Sequence, residues 1–324
     1  MPNAIVTGAA GFIGSNLSAA LMEFGYRVIG VDNYYSGLPS NIKRLQELYK
    51  DNFIFIRSDF MDTSNYDSWV LKCELFVHLA AQVSVQRSVD NIWETHLINT
   101  SGFLSVLKLV DIASKKGSLR SFIYASSCSV YGGNSQLPLS EESQCLPLSP
   151  YAASKYANEA YATAFYNTYS PHLNITGLRF FNVYGPWQDP SSGYAAVVPR
   201  WIQCAVNGKK PVINGDGFAT RDFIYVGDLC KAIYKISQLQ QPHSHAVYNA
   251  CTGVETTLKD LWGTISAVSI ELLSKPTLEP IHREWNSAEI KYSCGCNNRL
   301  LKAVSGLEFK SLREGINDTL MAML

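Results

Sequence analysis

The sequence predicts an α/β fold: a doubly wound parallel sheet covered by helices on both faces, followed by a smaller, mixed unit. Three observations carry this. The first half alternates short apolar, β-rich runs with helical stretches. The strand runs are almost continuously apolar, as strands buried on both faces must be. After Phe181 the texture changes, with denser turn residues (Gly185-Pro186, Asp189-Pro190, Gly215-Asp216-Gly217) and shorter elements.

Strands are expected at 4–7, 27–31, 53–57, 75–79, 121–125 and 174–179, with helices at 12–24, 40–50, 91–115 and 150–169. Gly25 is placed to end the first helix. Ser149 is a good helix N-cap and Pro150 a good first helical residue. Further on, 226–238 reads as a helix and 246–249 as a strand that rejoins the main sheet. A nucleotide-binding domain is therefore expected over 1–181, rejoined by about 226–252, and a smaller α/β substrate-binding domain over 182–324.

Composition limits the function. With 324 residues and 47% apolar content the chain can bury a large core. Lys plus Arg equals Asp plus Glu at 27 each, so no broad basic face for nucleic acid is expected. No stretch approaches the roughly 20 apolar residues of a membrane span. The chain opens directly into Ala4-Ile5-Val6, without a secretory pattern, which points to the cytoplasm. The eight cysteines are then expected reduced. Cys294-Gly295-Cys296 lacks a second pair at zinc spacing, so no metal is expected. His243-Ser244-His245 reads as solvated loop.

The run Thr7-Gly8-Ala9-Ala10-Gly11-Phe12-Ile13-Gly14 follows the first strand and opens the first helix. Glycines there let backbone N–H groups approach a pyrophosphate, and the helix N-terminus adds partial positive charge. This makes the sheet Rossmann-type, with Gly8, Gly11, Phe12, Ile13 and Gly14 as cofactor contacts. Asp32 ends the second strand, where a carboxylate holds ribose hydroxyls and repels a 2′-phosphate. With Asn33 beside it and no immediate Arg, NAD is expected rather than NADP. Asp59, with Phe60, follows the third strand, where its carboxylate reaches the adenine amino group or caps a helix.

Tyr151 and Lys155 lie four apart, on one face of a helix starting at Pro150. A free tyrosine, with a pKa near ~10, is a weak base at neutral pH. An adjacent ammonium and a nicotinamide cation both favour the phenolate, giving a tyrosine that takes a proton from a sugar hydroxyl.

The glycine pattern, Asp32, Ser126-Ser127-Cys128-Ser129-Val130-Tyr131-Gly132 and Tyr151/Lys155 together resemble the extended short-chain dehydrogenase/reductase family, over essentially the whole chain. The resemblance implies that Ser127, four before Tyr131, shares the proton between substrate and Tyr151, and that Lys155 holds the nicotinamide ribose. Sugar-nucleotide dehydratases of the family carry Asp-Glu where this chain has Cys128-Ser129, and the related decarboxylases need that Glu. The 3,5-epimerase/reductases place a cysteine two before the tyrosine, whereas Cys128 is three before it. What remains is similar to the 4-epimerases, especially bacterial ones acting on UDP-N-acetylglucosamine. Phe180-Phe181-Asn182-Val183-Tyr184-Gly185 and Tyr194-Ala195-Ala196-Val197-Val198-Pro199 carry that likeness.

It implies further roles. Asn182 bonds the diphosphate or sugar, and Arg221, in Thr220-Arg221-Asp222-Phe223, holds the diphosphate. Ser84, Ser129, Ala196 and Val197 line the substrate. His78-Leu79-Ala80-Ala81 forms the loop along cofactor and sugar, with Asn99 in the cofactor pocket. Ser293 falls where such epimerases carry a bulky tyrosine or a small residue, and a small one leaves room for an N-acetyl group. Where the family has an Arg that also grips the diphosphate, this chain has Asn286, with Arg283 three residues earlier. A homodimer through a four-helix interface built from 91–115 and 150–169 is implied. UDP-hexuronic acid 4-epimerases, net nucleotide-sugar oxidoreductases and a non-catalytic sensor are the alternatives.

Overall fold

The computed structural model describes residues 1–134, 136–190, 196–239, 244–285 and 290–324. Among the described residues the strands are β1 (Asn3–Thr7), β2 (Arg27–Asp32), β3 (Phe53–Arg57), β4 (Leu75–His78), β5 (Ser121–Ser127), β6 (Asn174–Phe180), β7 (Asn182–Tyr184), β8 (Val212–Asn214), β9 (Thr220–Arg221), β10 (Phe223–Tyr225), β11 (His245–Ala250), β12 (Thr256–Thr257) and β13 (Ile281–Arg283). Seven build one parallel sheet in the order β11-β6-β5-β4-β1-β2-β3. The order reverses between β1 and β4. Open parallel sheets bind ligands at such a switch point, outside the carboxyl ends of the strands.

The helices are α1 (Phe12–Glu23), α2 (Pro39–Tyr49), α3 (Asp67–Val70), α4 (Val85–Asp90), α5 (Ile92–His96), α6 (Gly102–Lys116), α7 (Pro150–Thr168), α8 (Val197–Val206), α9 (Val226–Ser237), α10 (Leu258–Leu273), α11 (Asn298–Ala303) and α12 (Leu312–Met321). Period-two alternation sorts the sheet residues between two cores. Ala4, Val6 and Val28 pack with Leu17, Leu21, Ile42 and Ile233, on the side of α1, α2 and α9. Ile5, Ile29 and Phe76 pack with Phe103, Val106, Val110 and Phe165, on the side of α6 and α7. A third core joins α8, α10 and α12 through Trp201, Ile202, Leu261, Ile265, Ile316 and Leu320.

Element boundaries differ little from expectation. Gly25 adopts a φ of +89°, and Tyr26 N closes onto Leu21 O behind α1. The helix expected at 91–115 is interrupted by a π turn over Leu97–Ser101. Just past it, a Cβ on Gly102 would lie 2.7 Å from Phe60 Cζ, so only glycine lets the helix pass that ring. By length and composition Ile92–Lys116 could cross a membrane, contrary to the reading of the sequence. Half of that window is buried, however, and its buried residues Phe103, Val106 and Val110 pack into the core of the sheet. His245 is a second correction: it opens β11 rather than lying in a solvated loop, and its ring stacks beside Tyr124, bonding the phenol at 3.2 Å. His243 lies outside the described residues, as do Tyr194, Ala195 and Asn286.

Candidate active site

Five parallel strands, β1 to β5, deliver the site to one edge. Thr7, at the end of β1, bonds His78 Nδ1 at 2.8 Å through Oγ1 and also accepts from Leu79 N at 3.2 Å. His78 is thus a buried strand terminus, not part of the loop expected there, and the loop begins at Leu79. Gly8 follows with φ +74°, and a Cβ on it would stand 2.9 Å from Ala80 N. A Cβ on Gly14 would fall 2.0 Å from Gly8 O. The turn therefore closes tightly against Leu79-Ala80-Ala81, and Phe12 and Ile13 open α1 at its mouth. Helix α1 starts with no side-chain cap and no acid in its first turn, so its first amides are left for an outside acceptor. That cradle fits a dinucleotide pyrophosphate.

Asp32 sits at the next strand end, 9% exposed. Its Oδ2 accepts from Ala10 N at 3.0 Å and its Oδ1 from Tyr34 N at 2.7 Å. Burial pushes its pKa up and these two amides pull it back down. Each oxygen keeps a lone pair, so the carboxylate can shape the turn and still accept from a ribose. Asp59 bonds Met61 N through Oδ1 and Asn33 Nδ2 through Oδ2, both at 2.9 Å. Asp59 therefore closes a local turn and ties to Asn33, and it caps no helix. Phe60 puts its ring into the core, 5.0 Å from the His78 ring, leaving only its main chain for a cofactor. Asn99 projects from the π turn, but its amide is spent inside the protein. It accepts from Gln82 N at 2.8 Å and donates to Gln82 O at 2.9 Å and Ser154 Oγ at 3.0 Å. It braces the 79–84 loop against α7.

The proton-transfer group lies where β5 ends and α7 begins. Ser149 Oγ caps α7 by accepting from Ala152 N at 3.1 Å, with Pro150 at the first position. Tyr151 N donates to Ser88 Oγ at 3.1 Å. Ser127 ends β5; its Oγ receives Ser129 Oγ at 2.8 Å, and its hydrogen bonding to Tyr151 favours the phenolate. Lys155, 4% exposed, donates to Ala125 O at 3.0 Å, with its Nζ 5.9 Å from the centre of the Tyr151 ring.

The expectation was that the Lys155 ammonium and a nicotinamide cation together favour the Tyr151 phenolate. Within the chain, burial dominates and pushes the phenol up to about 12, while burial of Lys155 brings the ammonium down to about 8. The Ser127 hydrogen bond pulls the phenol back down, and the Lys155 ammonium, while charged, favours the phenolate from beside the ring.

Beneath the pair lies a network that no local sequence pattern reveals. Arg179 on β6 grips Glu159 of α7 through Nε at 2.9 Å and Nη2 at 2.7 Å. Both residues are buried, and Ser126 Oγ donates to the same carboxylate at 2.5 Å. Glu159 stands one turn beyond Lys155, so the pair pins the helix that carries Tyr151.

The sugar-side residues come from several segments. Ser84 caps α4, accepting from Arg87 N at 3.1 Å. Asn182 N donates to Asp222 O at 3.0 Å. Arg221 donates to Thr220 O at 2.7 Å and Lys291 O at 3.2 Å, and its charge lowers the Cys128 thiol pKa against burial, which places it near the end of β5. Asp222, fully buried, accepts from Thr252 N at 2.9 Å, Gly253 N at 2.9 Å and Gly295 N at 3.3 Å. It gathers the 252–253 and 294–295 segments beside Arg221. Ser293 is 7% exposed at this junction. Ala196 caps α8 and Val197 opens it, with Ala196 exposed. Arg283 is exposed on β13. Cys294-Gly295-Cys296 clamps residue 139: Leu139 N donates to Cys294 O and Cys296 N to Leu139 O, both at 2.8 Å.

A model of the NAD dependent epimerase/dehydratase family matches residues 4–251. The chain belongs to this family. A UDP-glucose 4-epimerase of Mycolicibacterium smegmatis is 36% identical over 264 residues, 81% of each chain. The solved UDP-N-acetylglucosamine 4-epimerase from Methanobrevibacter ruminantium M1, in complex with UDP-N-acetylmuramic acid, superposes with a TM-score of 0.88 at 34% identity, over 99% of this chain and 98% of that one. The UDP-glucuronic acid 4-epimerase from Bacillus cereus, solved with UDP-glucuronic acid and NAD, gives 0.84 at 27% identity over the same shares. This family member is an isomerase whose cofactor is NAD.

Proposed function

We propose that this isomerase interconverts UDP-N-acetylglucosamine and UDP-N-acetylgalactosamine, with the non-acetylated UDP-glucose and UDP-galactose as further substrates. NAD-dependent 4-epimerisation of a UDP-sugar is the common reading of its relatives. The preference for the acetylated pair rests on one observation, the small Ser293 buried at the junction with Arg221. A tyrosine there would fill the space that an N-acetyl group at C2 needs.

In this reading the 1–181 unit, with 226–252, holds NAD and 182–324 holds the nucleotide sugar. The groups directed at NAD are the 8–14 turn, Asp32, Asn33, Asp59 and the 79–81 loop. When bound, NAD accepts the C4 hydrogen with its electron pair and returns it, and its ring cation favours the Tyr151 phenolate. Tyr151 takes the O4 proton and gives it back. Ser127, bonded to both Ser129 and Tyr151, relays that proton. Lys155 positions the nicotinamide ribose. Asn182 and Arg221 grip the diphosphate while Ser84, Ser129, Ala196 and Val197 touch the sugar lightly, so the 4-keto sugar can turn about the diphosphate and take hydrogen on its other face. Eight free thiols suit a reducing cytoplasm.

The test is proton NMR of the purified protein with UDP-N-acetylglucosamine and no added cofactor. A growing UDP-N-acetylgalactosamine anomeric signal, reaching the same ratio from either side, is the expected result. No change in protein shown to contain NAD, with turnover of UDP-glucuronic acid instead, would replace this reading by the uronic acid one.

A further inference from the structure

Strands β2 and β4 flank β1 on opposite sides, and all three end at the same edge of the sheet. The loop leaving β2 and the helices that follow β4 are nevertheless tied together, over the carboxyl end of β1. Tyr35 Oη donates to Glu94 Oε1 at 2.8 Å. Arg87 grips the same carboxylate twice, Nε to Oε2 at 3.1 Å and Nη2 to Oε1 at 2.8 Å. The Arg87 guanidinium carbon also lies 4.6 Å from the centre of the Tyr35 ring. The phenol therefore has a carboxylate at its tip and a cation on its face.

Each side is anchored at its root. Tyr35 N donates to Asn33 Oδ1 at 2.9 Å, just after Asp32 turns the chain at the ribose end of the cradle. Opposite, Ser84 Oγ accepts from Arg87 N and Asn91 Oδ1 from Glu94 N, both at 3.1 Å. One root thus belongs to the candidate cofactor side and the other to the candidate sugar side.

We propose that Tyr35, Arg87 and Glu94 form a clasp over the dinucleotide cleft that retains NAD between turnovers. An isomerase that returns hydrogen to its own product has no use for cofactor exchange, so slow release is a gain. For NAD to leave, the clasp must open, and that breaks a bidentate charge-assisted pair with a phenol bond beside it. The Arg87 and Glu94 side chains are 41% and 26% exposed, so salt weakens the tie and hastens release.

The experiment loads the holoenzyme with isotopically labelled NAD, chases it with excess unlabelled NAD and follows retained label at low and high salt. Glu94→Gln and Tyr35→Phe are expected to release NAD roughly tenfold faster than the unaltered chain, with Arg87→Lys between. Salt is expected to speed release from the unaltered chain more than from Glu94→Gln. Melting temperatures taken on the same samples separate a loss of fold from a loss of retention. The proposal is overturned if both variants release label at the unaltered rate, or if faster release appears only alongside a lowered melting temperature. It rests on NAD dependence and not on which sugar is turned over, so it and the NMR experiment fail separately.

Discussion

At the scale of single residues, the chemistry turns on two groups that burial moves toward each other. Tyr151, pushed up to about 12, is mostly phenol at neutral pH, and its phenolate fraction grows about tenfold with each pH unit below that value. Lys155, brought down to about 8, gives up its charge as pH rises through that value. The turnover rate is therefore expected to climb with pH and to bend near pH 8, where cationic support for the phenolate is lost. Lys155→Met should erase the bend and lower kcat by roughly a hundredfold; a pH–rate profile of both proteins checks this, and a bend that survives in the variant sinks it. Ser293→Tyr should abolish turnover of the acetylated substrate and spare UDP-galactose. Equal loss of both, measured by NMR under matched conditions, would remove the argument for the N-acetyl group. The spacing of Tyr151 and Lys155 was legible in the sequence because it is local. Their electrostatics were not, because desolvation depends on what the rest of the chain places around them.

At the scale of elements, strands and helices were legible wherever apolar periodicity was strong, and the Ser149-Pro150 start of α7 could be read from two adjacent letters. The π turn could not: no local pattern marks it, and the Phe60 ring that faces Gly102 just beyond it comes from a segment far away in sequence. The Arg179–Glu159 pair is hidden for the same reason, since nothing local marks a strand arginine as the partner of a helix glutamate. It also makes a prediction. Glu159→Gln leaves Arg179 buried and uncompensated, at a cost of about 3–5 kcal/mol in unfolding free energy. Urea denaturation should show this, and adding Arg179→Met should recover part of the loss. A single variant as stable as the unaltered chain would mean that the pair does not hold α7.

At the scale of the whole molecule, α6 and α7 leave a groove of about 450 Å³ between them, lined by Leu104, Leu107, Tyr161, Phe165 and Tyr169. Leu104, Tyr161 and Tyr169 are 40%, 42% and 56% exposed. A second copy docking these helices as a four-helix interface would cover them. Sedimentation of the unaltered chain should then give a dimer, and Leu104→Glu a monomer with an unchanged melting temperature, because the side chain is half exposed in one copy. Two monomers of equal mass would dismiss the interface. The parallel sheet was evident from the sequence because it depends on runs of residues. The clasp was not, because Tyr35 and Glu94 lie 59 positions apart in sequence.

The last strand of the sheet has a consequence for synthesis. β11 pairs with β6, and α9 lies on α1, with Tyr234 stacked 4.0 Å from Phe24. About 70 residues separate the end of β6 from the end of β11. At about 5–20 residues per second on a ribosome, the emerging chain waits roughly 4–14 s with an unpaired strand edge and a bare helix face. During that interval the nascent protein is a natural client for a chaperone that covers open edges.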